Sequence, residues 1–218
     1  MDRDRIFAIT HGDRAFHNPL EPARVPEALD RLGLGAGDRV LDVGCGAGGL
    51  PRARRRRRGS SSPPARRDVE PGGDHAAACC VGSLHALGGL ADGLRRLRGA
   101  IAPGGAVVIA DGFWERRPDP AFLAALGASE DALPSLEGLP ATCADAGLEP
   151  VWVATSTAEE WQRYEWTLVS NGDRWIREHP GDPLAADVRA WIDAARARLL
   201  APGGMETIGF ALVVLRGG

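Results

Sequence analysis

Apolar residues recur with helix and strand periods along most of this chain. Val25, Leu29 and Leu32 lie three or four positions apart, which predicts a helix. Residues 33–38 are rich in glycine and polar side chains and predict a turn, and the apolar residues that follow predict a strand at 40–43. The chain therefore begins its regular structure with a helix, a turn and a strand.

A β-α-β unit is predicted after residue 80. The apolar run 80–84 predicts a short strand that ends at Leu84. Residues at helical spacing then mark one helix face, namely Leu90, Leu94, Leu97 and Ile101. Pro-Gly-Gly at 103–105 predicts the end of that helix, and 106–111 predicts a strand buried on both faces.

The last third predicts two strands with helices between them. The strands are 149–154 and 208–215, and no crossover helix follows the second, so we expect the sheet to end there. Thr157 and Glu160 form a candidate capping box for one helix. Asp182-Pro183 opens another amphipathic helix. The insertion 157–205 is long for a connection, which favours a helical lid over the substrate; ordinary packing helices are the alternative.

A glycine-rich turn follows the first strand and suggests a nucleotide-cofactor loop. Gly44, Gly46 and Gly49 fit the G-x-G-x-x-G of dinucleotide-binding loops, whereas Asp42 with Gly44, Gly46 and Gly48 fits D-x-G-x-G-x-G. Glycine lets the backbone turn tightly and approach a ligand closely. We favour the second pattern, and a turn that is only glycine-rich is the remaining alternative.

Several motifs in this order resemble class I S-adenosylmethionine-dependent methyltransferases, and in particular a group of small bacterial ones. The motifs are the strand and loop 40–49, the run 80–89, the unit ending at 111–114, and the opening segments 9–13 and 16–20. The resemblance implies an α/β, Rossmann-like sheet whose last strand is antiparallel. It also implies methyl transfer from S-adenosyl-L-methionine to a small molecule that the sequence does not identify.

The resemblance also assigns cofactor contacts. It implies that the backbone of Gly44, Cys45, Gly46 and Gly48 lies against the amino-acid and ribose part of the cofactor. Asp42 would accept hydrogen bonds from the loop or from the cofactor's ammonium group, and a carboxylate that only braces the turn is the alternative. The family's ribose-binding acid at the end of the second strand has no counterpart in this sequence.

Five further residues are candidates for the substrate side. His85 follows a predicted strand, where α/β sheets place ligands, and a histidine can accept a proton near neutral pH. We predict it as a base or as a substrate-orienting group; a structural histidine is the alternative. Asp111 and Trp114 follow the next strand, His11 lies in the opening segment, and Tyr164 lies on the predicted lid. Ordinary packing is the alternative for Asp111 and Trp114, and a structural histidine on an ordinary surface arm is the alternative for His11.

Residues 51–74 do not fit the family pattern. They contain a dense arginine run and no apolar periodicity, so we expect this segment to be irregular. The family holds two helices and two strands in this interval, so we expect the second and third strand units to be missing or degraded. The first strand would then be an edge open to self-association, and cofactor binding and activity would be impaired. A phosphate-binding tail, a plain linker and a shifted reading frame are the open explanations of the run.

Length and charge limit the number of domains and the kinds of partner, but they do not identify the function. At 218 residues we expect a single domain over 1–218. The formal net charge of -3 gives no general attraction to nucleic acid or to a membrane. With no apolar signal-like or spanning run we expect a cytoplasmic protein, and the four cysteines lack metal-ligand spacing.

An NAD(P)-dependent oxidoreductase and an arginine-rich nucleic-acid-binding module remain as alternatives, and whether the protein is an active enzyme stays open.

Overall fold

The computed structural model describes residues 2–12, 14, 17–44 and 72–218. Five strands lie within these residues, and in chain order they are β1 (Val40–Val43), β2 (His75–Val81), β3 (Ile101–Trp114), β4 (Leu148–Thr155) and β5 (Ile208–Gly217). They form one sheet in the order β1-β2-β3-β5-β4. Strands β1, β2 and β3 pair in parallel, and β5 runs antiparallel between β3 and β4. The predicted α/β sheet with an antiparallel last strand is confirmed.

Seven α-helices accompany the sheet in the same part of the chain. They are α1 (Arg3–His11), α2 (Arg24–Asp30), α3 (Leu90–Ala100), α4 (Pro120–Leu126), α5 (Leu139–Asp145), α6 (Ala158–Glu178) and α7 (Ala185–Leu200). None of these helices has the length and apolar character needed to cross a membrane.

Three apolar clusters hold these elements together. On one face of the sheet, Leu94 of α3 and Leu139 of α5 pack with alternate residues of β3 and β5. On the other face, Val25 of α2 packs with the intervening residues of the same strands. The third cluster joins α1, α6 and α7 to one another through residues such as Ile6 and Val188. The helices predicted in 157–205 therefore exist and pack mainly on each other and on α1, while their action as a lid stays a prediction.

The predicted end of β2 is wrong by three residues. The strand runs from His75 to Val81, and Leu84 begins a 3-10 turn instead of ending the strand. Gly82 has a φ of 70°, a left-handed conformation that breaks the strand before the next apolar residues. The start was missed because the strand is made largely of alanine and cysteine, which carry little β-propensity, although Ala77 and Cys79 are fully buried.

The turn predicted at Pro-Gly-Gly also needs correction. Helix α3 ends at Ala100, and Ile101 already belongs to β3. Ile101 pairs with His75, whereas the next pair joins Ala106 to Ala77, so residues 102–105 form an irregularity inside the strand. A tight turn and a strand irregularity share the same glycine signal, and only pairing with β2 distinguishes them.

The opening helix α1 is absent from the sequence predictions. Asp2 caps it by accepting a hydrogen bond from the Arg5 backbone N–H at 3.1 Å. The predicted irregular segment 51–74 lies outside the described residues apart from 72–74.

Candidate functional site

The carboxyl ends of the parallel strands meet at one edge of the sheet and bring three ionisable side chains together. Asp42 lies near the end of β1, Cys80 near the end of β2, and Asp111 on β3. Burial, together with the nearby carboxylates of Asp111 and Asp42, raises the pKa of the Cys80 thiol to about 12. This edge is where open α/β sheets bind ligands.

Asp42 is a buried carboxylate without a partner among the described residues. Its side chain is 6% exposed, and neither oxygen has a hydrogen-bond partner there. Burial raises its pKa from 3.8 to about 7. A buried carboxylate of this kind is costly unless it meets a donor or a positive charge, so the position is suited to a cationic or N–H-bearing ligand group.

Gly44 turns the chain immediately after β1 and leaves room for Ser83. Its φ is 70°, which favours glycine. A Cβ atom at this position would overlap the Ser83 side chain, so the turn and the end of β2 approach each other closely. The predicted requirement for glycine at this position is thus explained by both backbone conformation and space.

Asp111 and His85 lie at the same edge, close enough for the charge of one to affect the other. The Asp111 carboxylate accepts a hydrogen bond from the Gly112 backbone N–H at 2.8 Å, and it also interacts with the Leu84 backbone N–H. Burial raises the pKa of Asp111, while those N–H groups and His85 oppose that rise. His85 is exposed in the 3-10 turn that follows β2. The structure therefore brings two predicted substrate-side residues together.

Trp114 is packed into the protein. It is 9% exposed, its indole N–H donates to the Glu130 carbonyl at 2.7 Å, and its ring meets Phe122 edge to face. These contacts favour the packing interpretation, and contact with substrate stays a prediction.

His11 and Tyr164 form a buried pair although 153 positions separate them. His11 Nε2 lies 3.0 Å from the Tyr164 hydroxyl, and His11 Nδ1 lies 3.0 Å from the Phe7 carbonyl. Because a carbonyl only accepts, Nδ1 carries the proton and the Tyr164 hydroxyl donates to Nε2. Burial lowers the pKa of His11 to about 4, so the imidazole is neutral.

The surroundings of this pair are aromatic and cationic. The Arg14 guanidinium lies 5.0 Å from the centre of the Tyr164 ring, and the Phe7 ring stacks on His11. In the part of the chain that the structure describes, no hydrogen bond or ring contact links the pair to Asp42 or Asp111. The predicted site residues thus fall into two groups.

Three of the predicted cofactor contacts are not tested. Cys45, Gly46 and Gly48 lie outside the described residues. Their contact with a cofactor stays a prediction.

A cleft of about 420 Å³ at this edge was missed by the sequence analysis. It is lined by residues that follow β3 and β4, by the first turn of α6 and by the segment before β5, including Glu115, Arg116, Trp161, Gln162 and Glu206. The sequence signal that could have indicated this cleft is the position of Glu115, which directly follows an apolar strand.

Comparison with known proteins gives a consistent result. No family model matches the chain. Uncharacterized protein YjhP of Escherichia coli K12 is 28% identical over 230 residues, which cover 91% of this chain and 92% of YjhP. The X-ray structure of YjhP superposes with a TM-score of 0.82 and covers 98% of this chain and 100% of that chain.

Two solved S-adenosylmethionine-dependent methyltransferases, both in complex with S-adenosylhomocysteine, have the same fold. The one from Geobacter sulfurreducens is 24% identical, with a TM-score of 0.82 and 98% coverage of both chains. The one from Thiobacillus denitrificans is 26% identical, with a TM-score of 0.81 and 100% coverage of both chains. Likeness to the Thiobacillus protein extends over the whole of both chains in sequence and in structure, and these neighbours support a class I S-adenosylmethionine-dependent methyltransferase.

Proposed function

We propose that this protein transfers a methyl group from S-adenosylmethionine to a small molecule. The observation that carries the proposal is the buried carboxylate of Asp42 at the ligand-binding edge of the sheet, which has no hydrogen-bond partner among the described residues. The relatives crystallised with S-adenosylhomocysteine support the same cofactor for this chain.

The residues present fit this cofactor. Asp42 offers two acceptor oxygens, which suit the ammonium of an amino-acid group. That ammonium would supply a charge partner, and the described residues supply none. Gly44 lets the backbone pass close to Ser83 without a side chain in between. Together with the loop at 45–48, these residues would hold the amino-acid end of the cofactor.

The chain itself does positioning and proton transfer. When bound, S-adenosylmethionine supplies a methyl group on a positively charged sulfur, so the protein needs no nucleophile of its own. Asp111, whose carboxylate accepts from the Gly112 N–H, and the exposed His85 interact electrostatically at the sheet edge. His85 accepts the acceptor's proton, which is general-base chemistry suited to neutral pH. His11, Tyr164 and the helices of 157–205 close the substrate side.

Calorimetry with S-adenosylhomocysteine tests the proposal. We expect binding to the wild type with a dissociation constant above the low-micromolar range, because the ribose-binding acid has no counterpart. Two charge-assisted hydrogen bonds are worth about 1.5 to 3 kcal/mol each. Asp42→Asn should weaken binding at least tenfold, and Glu149→Gln, at an exposed position of β4, should leave it unchanged.

The outcomes separate the proposal from its alternatives. A change in NADH fluorescence with no response to S-adenosylhomocysteine would favour the oxidoreductase, and salt-sensitive RNA binding would favour the nucleic-acid-binding module. A constant at or below the low-micromolar range would overturn the expected impairment and leave methyl transfer standing. The relatives reported above give no support to either alternative or to impairment.

A further inference from the structure

The cleft beside β3, β4 and β5 has a composition that selects one class of ligand. It lies at the carboxyl ends of β3 and β4, the same edge that carries Asp42, because β4 is parallel to β3 through their common antiparallel neighbour β5. Its volume of about 420 Å³ falls within the range of small-molecule sites. The proposed cofactor contacts at Asp42 and Gly44 do not include the residues of this cleft.

The charge of the cleft is negative. Arg116 Nη1 lies 2.6 Å from Glu206 Oε2, so this guanidinium is neutralised by one carboxylate of the cleft. Glu115 supplies a second carboxylate, and none of the ion pairs among the described residues includes it. The cleft therefore presents one carboxylate in excess.

Gly209 makes room for the Glu115 carboxylate. A Cβ atom at Gly209 would come within 2.8 Å of Glu115 Oε2 and would overlap the Phe113 ring. Gly209 does not have the positive φ that requires glycine, so space is the reason for a residue without a side chain. The exposed Glu115 carboxylate therefore lies over the backbone of β5 at Gly209, beside the cleft that both residues line.

Trp161 supplies an aromatic face. It lies in the first turn of α6, packs in part against the apolar cluster that contains Val25, and is one of the residues that line the cleft. Arg31 stacks on Trp152 and Arg14 on Tyr164, but no cation among the described residues stacks on Trp161. A carboxylate combined with a half-buried indole in one cleft is a combination that binds organic ammonium groups.

We infer that this cleft binds the methyl acceptor through a positively charged amine or quaternary ammonium group, held between Glu115 and Trp161. The inference rests on the proposed function for the identity of the ligand as the acceptor. Arg116 is paired with Glu206 at the cleft. A bound ligand cation can therefore pair with Glu115 without competing with Arg116 for the same carboxylate.

Choline and its uncharged isostere 3,3-dimethyl-1-butanol test the inference on the whole protein by ligand-observed NMR titration. We expect choline to bind in the millimolar range or tighter and at least tenfold more tightly than the neutral isostere. Glu115→Gln, at an exposed position, should weaken choline binding at least tenfold, and Trp161→Leu should do the same. Glu149→Gln, outside the cleft, is the matched control and should change nothing.

Each outcome decides a separate claim. Equal affinity for the charged and neutral probes, no choline binding at tens of millimolar, or no effect of Glu115→Gln would overturn the inference. S-adenosylhomocysteine binding, measured on the same samples, reports on the proposed function alone. Choline binding without S-adenosylhomocysteine binding would leave the cation site standing and remove the methyltransferase.

Discussion

At the scale of single residues, two buried ionisable groups show how the fold places charge. Asp42 is held away from water with no partner among the described residues, while His11 is held neutral between Phe7 and Tyr164. Asp42 is therefore prepared for a ligand, whereas His11 has its hydrogen bonds satisfied within the chain. The two kinds of burial predict opposite responses to substitution.

Replacement of Asp42 by Asn is expected to flatten the pH dependence of stability in the cofactor-free protein. Burial raises the pKa of Asp42 from 3.8 to about 7, so the folded state holds its proton more tightly than the unfolded state. The stability is fully present below the unfolded value and is lost as the pH rises through the folded value. At about 1.4 kcal/mol per pKa unit, the loss is on the order of 4 kcal/mol.

Urea denaturation at pH 4 and pH 8 measures this effect. The wild type should lose more of its free energy of unfolding between the two pH values than Asp42→Asn does. Glu149→Gln, an exposed control, should behave like the wild type. The same pH slope in the wild type and in Asp42→Asn would contradict the prediction.

Removal of the Tyr164 hydroxyl should destabilise the protein through His11. Tyr164→Phe keeps the ring beneath Arg14 but leaves His11 Nε2 without its donor. An unsatisfied buried polar atom costs about 1 to 3 kcal/mol. In a double-mutant cycle with His11→Phe, denaturation should give a coupling energy of about 1 kcal/mol or more. Additive effects of the two substitutions would show that the hydrogen bond contributes nothing.

At the scale of elements, the start of α6 connects the helix to the chain before α2. Thr157 and Glu160 form a reciprocal capping box. The Glu160 carboxylate also accepts from the Glu21 backbone N–H at 3.2 Å and pairs with Arg24 Nε at 3.2 Å. A local capping signal in the sequence thus serves a long-range connection, one that positions Trp161 at the cleft.

Glu160→Gln should cost about 1 to 3 kcal/mol, because hydrogen bonds to a charged acceptor are the stronger ones. Burial of Glu160 acts to raise its pKa, but the N–H groups of Thr157 and Glu21 and the charge of Arg24 outweigh burial and lower it. Its stabilisation is present above the unfolded value of 4.5 and is lost as the pH falls through the lowered folded value.

Chemical denaturation of wild type and Glu160→Gln at pH 7 and pH 3 tests this. The difference should be large at pH 7 and small at pH 3. Glu159→Gln removes an exposed carboxylate that pairs with Arg163 at 2.6 Å, and it should cost no more than about 0.5 kcal/mol. An equal cost for both variants would mean that the connection to Arg24 and Glu21 is unimportant.

At the scale of the whole molecule, the two ends of the sheet differ in what lies beside them. Strand β4 and strand β1 are the two terminal strands of the sheet that the described residues form. Helices cover both faces, and a third cluster joins α1, α6 and α7 beside the sheet. The binding edge therefore has β1 and the glycine turn at one end and the cleft under α6 at the other.

We predict that the protein self-associates through β1. The sequence offers too little patterned chain after β1 for the family's second and third strand units, and an unpaired apolar edge invites pairing between copies. Sedimentation velocity should show mass that increases with concentration. Leu41→Lys, at a half-buried position of β1, should favour the monomer, and Val153→Lys, at an exposed position of terminal strand β4, should not. A wild-type monomer at all concentrations would contradict the prediction.

The sequence by itself determined the elements whose signal is local. The apolar runs gave β3 and β5, the spacing of Leu90, Leu94 and Leu97 gave α3, and Thr157 with Glu160 gave the start of α6. Each signal lies within a few residues, because helix and strand periods and capping hydrogen bonds join near neighbours in the chain.

Only the tertiary structure decided which distant residues meet. It paired His11 with Tyr164, made a strand of small residues at 75–81, and set the Glu115 carboxylate over Gly209. Local periodicity carries no information on such partners, since they depend on the path of the chain between them. Asp42 shows both contributions: its place before a glycine turn is written in the sequence, but its burial without a described partner, and hence its raised pKa, follows from the neighbouring strands.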